Sequence, residues 1–184
     1  DGTTFTGNSV KADFSTTHND NIAGGAIFND TDAELNVKNA TFTGNTSSLK
    51  GGAIFNRDGV VTIENSTFKG NSVPKSAGGA VLNESGDTET LGTITITGST
   101  FEGNTAGNGG AVWNGSNGKV EIADSTFKGN TALAEDGLGQ GGAITNADKM
   151  TIMGGSFANN TANYSGGAIY NGAHAAPGQT SLTI

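Results

Sequence analysis

The sequence predicts an all-β chain, a parallel β-helix of about six to seven coils with three short strands each, and three observations predict it. A hexapeptide recurs six times: GGAIFN from Gly24 and Gly51, GGAVLN from Gly78, GGAVWN from Gly109, GGAITN from Gly141 and GGAIYN from Gly166. Its spacings are 27, 27, 31, 32 and 25 residues, the period of a stacked repeat. A second signature, Phe-x-x-Asn, interleaves with the first at Phe5, Phe42, Phe68, Phe101, Phe127 and Phe157. Between the two lies a short alternating run such as Val60-Val61-Thr62-Ile63-Glu64, whose period of two and β-branched residues read as a strand. No amphipathic run long enough for a helical repeat occurs, and a propeller blade would need a longer unit with four strands.

Each element of the coil follows from its residues. Gly-Gly-Ala-Ile-Phe-Asn is short and extended. After a turn, the middle strand places Leu35/Val37, Val61/Ile63, Ile94/Ile96, Val120/Ile122, Met150/Ile152 and Leu182/Ile184 inward. Phe5, Phe42, Phe68, Phe101, Phe127 and Phe157 stack inward on the third strand. In that register Lys69, Glu102 and Lys128 become outward neighbours of alternating sign, and Lys38 meets Glu64. Two asparagine columns close the segments: Asn29, Asn56, Asn83, Asn114, Asn146 and Asn171, then Asn8, Asn45, Asn71, Asn104, Asn130 and Asn160. Asparagine tolerates left-handed backbone, caps turns and can hydrogen-bond from coil to coil. Gly7, Gly44, Gly70, Gly103 and Gly129 precede the second column, as corners of positive φ require. Coil length varies only at corners, and Ser9 to Ala23 is the least regular stretch.

Composition agrees and narrows function. The 184 residues hold 31 glycines and two prolines, which with a fixed period means many tight turns rather than a linker. Only 33% of residues are hydrophobic, enough for the narrow interior of a solenoid. A net charge of -8 argues against nucleic acid and anionic membrane surfaces as partners. There is no cysteine, and no apolar run approaches a membrane span, so this segment is not expected to insert directly into a membrane.

Gly51-Gly52-Ala53-Ile54 followed by Phe68-Lys69-Gly70-Asn71, with their counterparts in the other coils, resembles the repeat pair of the chlamydial polymorphic membrane proteins and related autotransporter passengers. The resemblance covers nearly the whole chain. It implies a right-handed β-helix, an extracellular or bacterial cell-surface location, and an adhesive role toward a host-cell protein or glycan. Passengers of that family often carry cysteines and end in an outer-membrane barrel; neither is found in these residues.

Candidate chemistry is sparse. An alternative function, a fragment of a carbohydrate-active β-helix enzyme of the lyase or hydrolase class, needs convergent carboxylates and a basic residue. Here the acids are spread over loops, Arg57 has no stacked basic partner, and His18 and His174 lie in irregular loops. The chain is therefore expected not to be an enzyme. No cofactor or metal is expected: Asp30 to Glu34 and Glu84 to Glu89 are acidic loops that match neither the EF-hand nor the nonapeptide calcium pattern. Asn39-Ala40-Thr41 and Asn65-Ser66-Thr67 are sequons that coincide with the repeat and read as turn chemistry. The best contact candidates follow GGA(I/V). Phe28, Phe55, Trp113 and Tyr170, in one column with Leu82 and Thr145, should point outward and form a rigid aromatic strip.

The chain is read as one segment, 1–184, uncapped at both ends. Joining Ile184 to Asp1 gives TIDGTTFTGN, in register with TIENSTFKGN at Thr62 to Asn71. Two expectations follow: self-association head to tail, as a tandem array or filament, or a place as one piece of a longer, non-repeating passenger.

Overall fold

The computed structural model describes residues 2–11, 22–86, 91–133, 139–172 and 180–184. Among them the chain is all strand and turn. Four six-stranded sheets, every pairing parallel, wrap around one axis. From Phe5 to Phe157 the same position recurs after five full turns, so each wall has six levels. No helix long and apolar enough to cross a membrane occurs among these residues.

One coil shows the plan. Ile54–Arg57 forms the GGA wall, Val60–Glu64 the middle wall and Thr67–Lys69 the Phe wall. Ser72–Ala77 then forms a fourth, the hydroxyl wall, before the next GGA strand at Val81–Glu84. The expected three strands per coil are thus four, and the coil count falls to five full turns. The fourth strand hides in pairs such as Thr46–Ser47, Thr131–Ala132 and Thr161–Ala162, directly after Phe-x-x-Asn. Two residues are too few to show a period, so the sequence reading ended the coil's structure at the asparagine.

The inward columns are as expected. Phe42, Phe68, Phe101 and Phe127 are fully buried. They stack with Phe5 and Phe157 at centroid separations of 4.6–4.8 Å and ring planes within 5° of parallel. Val61, Ile63, Ile94, Ile96, Val120 and Ile122 join them in one core. Ile184 departs from its expected inward place: the last pairing of the middle wall covers only Ser181 to Thr183, and Ile184 is exposed. The outward charges meet as the register requires, Lys38 with Glu64 at 2.9 Å and Lys69 with Glu102 at 3.3 Å.

Polar ladders seal the corners between walls. Along the column from Asn8 to Asn160, each asparagine donates both its backbone N–H and its side-chain Nδ2 to Oδ1 of the next. From Asn45 onward, Nδ2 also donates to the carbonyl of the phenylalanine one coil back. From Asn29 to Asn171 the second column repeats the Nδ2 to Oδ1 bond. Each corner thus satisfies buried amides that a bend would otherwise orphan. A third ladder was not anticipated: Ala40, Ser66 and Ser99 donate their N–H groups to the hydroxyls of Ser66, Ser99 and Ser125. The sequons are turn chemistry, with Asn39 and Asn65 at φ 51° and 48°.

The double glycine has two separate causes. Gly51 sits at φ 58°, where it turns the chain into the GGA wall. Gly52 lies within the stack, and a Cβ there would stand 2.0 Å from the Gly79 carbonyl oxygen.

Candidate contact surface on the outer side of the GGA wall

Period two in Ile54-Phe55-Asn56 sends Ile54 and Asn56 to the interior and Phe55 to the other side of the wall. The register holds along all six levels: Phe28, Phe55, Leu82, Trp113, Thr145 and Tyr170 form one column. The column is outside the main core, as its phase requires, but it is not a free strip.

The residue before each double glycine explains why. Ala23, Lys50, Ala77, Asn108, Gln140 and Ser165 stack into a narrow cover beside the column. Their coils are joined by bonds such as Gly51 N–H to Ala77 O and Gly109 N–H to Gln140 O. Ala23, Ala77, Phe55 and Leu82 form a second small core, with Phe28 and Trp113 packed against it. Phe55, expected outside, is therefore fully buried. Phe28, Trp113 and Tyr170 are half-buried. Where the column holds Thr145, its hydroxyl donates to the Gln140 carbonyl of the cover at 2.7 Å.

Cations complete the surface. Arg57 lies 5.0 Å from the centre of the Phe28 ring, and Lys50 lies 5.6 Å from that of Phe55. Arg57 also grips Asp30 with two hydrogen bonds of 2.8 and 3.0 Å. That grip holds the Asp30 carboxyl below its ordinary value and raises the guanidinium. Lys50 pairs with Glu84. Beyond this pair opens a polar cavity of about 410 Å³ lined by Lys50, Arg57, Glu84, Ser85 and Gly86. Trp113 and Tyr170 instead fold over Gly115 and Gly172: a Cβ at Gly115 would run into the Trp113 ring, and one at Gly172 would stand 2.7 Å from the Tyr170 phenol oxygen.

The acidic loops have structural uses. Asp30 is tied to Arg57, and Asp58 accepts the Gly86 N–H from the next coil at 2.9 Å. No group of three metal-ligating side chains gathers among the described residues. His18, His174, Asp87 and Glu89 lie outside those residues. The buried asparagines, Asn29, Asn56, Asn83, Asn114 and Asn146 in one column and Asn45, Asn71, Asn104 and Asn130 in the other, serve the ladders. Asn160 is half-buried, and Asn8 and Asn171 are exposed.

The cover and its ion pairs were not legible in the sequence. Their only signal is position: the cover residue always precedes the double glycine, but its type changes in nearly every coil.

Four stretches of this solenoid are similar to a known family repeat. Residues 39–57, 98–115, 124–147 and 154–172 match the Chlamydia polymorphic membrane protein repeat. Those four stretches carry the resemblance to that repeat. Each matched stretch spans a corner and ladder residues described above, such as Asn45 with the Gly51-Gly52 turn, or Asn104 with Gly109-Gly110. No curated protein and no solved structure matches the chain. Polymorphic membrane protein repeats on a parallel β-solenoid fit a surface-displayed passenger.

Proposed function

We propose that this chain is a rigid structural wall of a bacterial surface passenger, exposed outside the cell, whose role is adhesive rather than enzymatic. The observation that carries the reading is the combination of the matched repeat with four walls built as continuous ladders. Such a wall has its backbone groups paired from coil to coil, and it holds outward side chains at fixed spacing. Rigid display of this kind loses little entropy on binding. The acids beside the outer cavity favour structure over catalysis, since Glu84 is held by Lys50 and Asp30 by Arg57.

Contact with a host-cell protein or glycan is assigned to the half-buried rings Phe28, Trp113 and Tyr170, the first of which lies beside the Arg57 guanidinium. Phe55 serves as their support. The test is binding of beads coated with this chain to host cells, against a variant carrying Phe28→Ser, Trp113→Ser and Tyr170→Ser. Loss of binding with the unfolding midpoint kept supports the reading. Unchanged binding removes the rings from it, and antibody that fails to label intact bacteria removes the surface location.

The same reading includes continuation of the ladders along the axis, by further repeats of a longer chain or by a second copy head to tail. Both asparagine columns donate in one direction, from each coil to the next, so any stacking they support is polar. Electron microscopy of native material tests it, with continuous fibres expected and isolated capped particles contrary.

A further inference from the structure

We infer that the groove on the hydroxyl wall between Lys11 and Lys75 binds an acidic polysaccharide. The inference is independent of the aromatic rings on the GGA wall. Val10, Lys11, Thr46, Ser47, Ser48, Ser72, Pro74 and Lys75 line an open groove of about 490 Å³. It crosses three coils, because Ser9–Val10 pairs with Thr46–Ser47 and Thr46 with Ser72.

A local irregularity shapes it. Ser72 and Val73 pair with Thr105 and Ala106, but the register then shifts before Ala77 meets Asn108. Two extra residues on that strand push Pro74 and Lys75 off the wall as an exposed lip. Lys11 stands at the opposite side, two coils away, about 10 Å along the axis.

Charge identifies the ligand class. The chain has a net charge of -8, yet among the described residues no acid lines this groove. Of the nine basic residues, Lys38, Lys50, Arg57, Lys69 and Lys119 are each held in an ion pair. Lys11 and Lys75 have no acidic partner among the described residues, and both are exposed. Lys128 and Lys149 share that freedom but lie on the Phe and middle walls, apart from the groove. Two exposed ammonium groups, facing each other across a groove whose described lining holds no acid, therefore attract an anion with its charges spaced along a chain.

The lining favours sugar over peptide. Thr46 and Ser72 present hydroxyls that both donate and accept, while Val10 and Pro74 offer apolar contact, which suits the mixed surface of a pyranose ring. A peptide strand would need an unpaired sheet edge. Thr46 and Ser72 are instead paired within their sheet, and their N–H groups already donate to Asn8 and Asn45 carbonyls.

The experiment measures binding of the intact chain to heparin, dextran and poly-glutamate at low ionic strength. Heparin is expected to bind and to weaken as salt is added. A variant carrying Lys11→Glu and Lys75→Glu is expected to lose about 25-fold, at about fivefold for each lysine against a polyanion. A matched variant carrying Lys128→Glu and Lys149→Glu should keep most of the affinity, and dextran should not bind. The inference is overturned if heparin does not bind, if the two charge variants lose equally, or if poly-glutamate binds as tightly as heparin. Replacing Phe28, Trp113 and Tyr170 by serine should leave heparin binding unchanged, which separates this site from the contact assigned above.

Discussion

The two sides of the GGA wall follow one strand and obey different rules. Inward, the column reads Ile27, Ile54, Val81, Val112, Ile144 and Ile169, a set of β-branched residues of nearly equal size. Outward, the same six levels read Phe, Phe, Leu, Trp, Thr and Tyr. The inner side packs into a core shared with the middle and Phe walls, where a change of one methylene is felt. The outer side is closed only by a one-residue cover and by the stems of Lys50 and Arg57. That cover is one residue wide and lies beside side chains as different in size as Trp113 and Thr145. Stability is concentrated inside, and room for variation is left where a partner can reach it.

The largest effect that would sharpen this contrast comes from the inner ladders. Asn104→Ala removes the acceptor of both the Asn71 N–H and the Asn71 Nδ2, two buried donors. At about 1–3 kcal/mol for each orphaned group, the cost is about 2–6 kcal/mol in urea unfolding. Next is the paired comparison of two fully buried rings. Phe101→Ala should cost about 3–5 kcal/mol, because its neighbours above and below are fixed at 4.8 Å by the coil spacing and cannot collapse. Phe55→Ala should cost about 3 kcal/mol, the low end of the same range, because only a small second core and a one-residue cover surround the gap. Equal costs would break the distinction between the two sides.

The sequence made the inner side legible for a physical reason. A column that repeats at 4.8 Å must suit its own copies above and below, so Phe, Ile and Asn recur at fixed places and phase the whole coil. That logic yielded the Phe stack, both asparagine columns, the positive-φ corners and the Lys38–Glu64 and Lys69–Glu102 pairs. It failed where recurrence is weak. Thr46–Ser47 and its equivalents are too short to show alternation. The cover changes from Ala23 to Lys50 to Asn108, so the phase of Phe55 was right while its exposure was not. Lys11 and Lys75 carry no pattern at all, and only the shifted register beyond Val73 brings them to one groove.

The smallest expected effect is a pH dependence on the outer side. Asp30 is held below its ordinary carboxyl value by Arg57, so the pair adds stability above the unfolded carboxyl pKa. That contribution is lost as pH falls through the lowered folded value. It is small, because Asp30 is half exposed and solvent screens the pair. Arg57→Gln should return the Asp30 titration, followed by NMR, toward an ordinary aspartate; a titration left where it was would show that Arg57 is not its cause.

Native-state amide exchange tests the two-sided wall most directly. The Asn45, Asn71 and Asn104 amides, each bonded to the next asparagine of an inner ladder, should exchange only through global unfolding. The Gly51 and Gly78 amides, which join the cover from coil to coil, should exchange through a smaller local opening that bares Phe55 and Leu82. One common opening free energy for both sets would contradict the account.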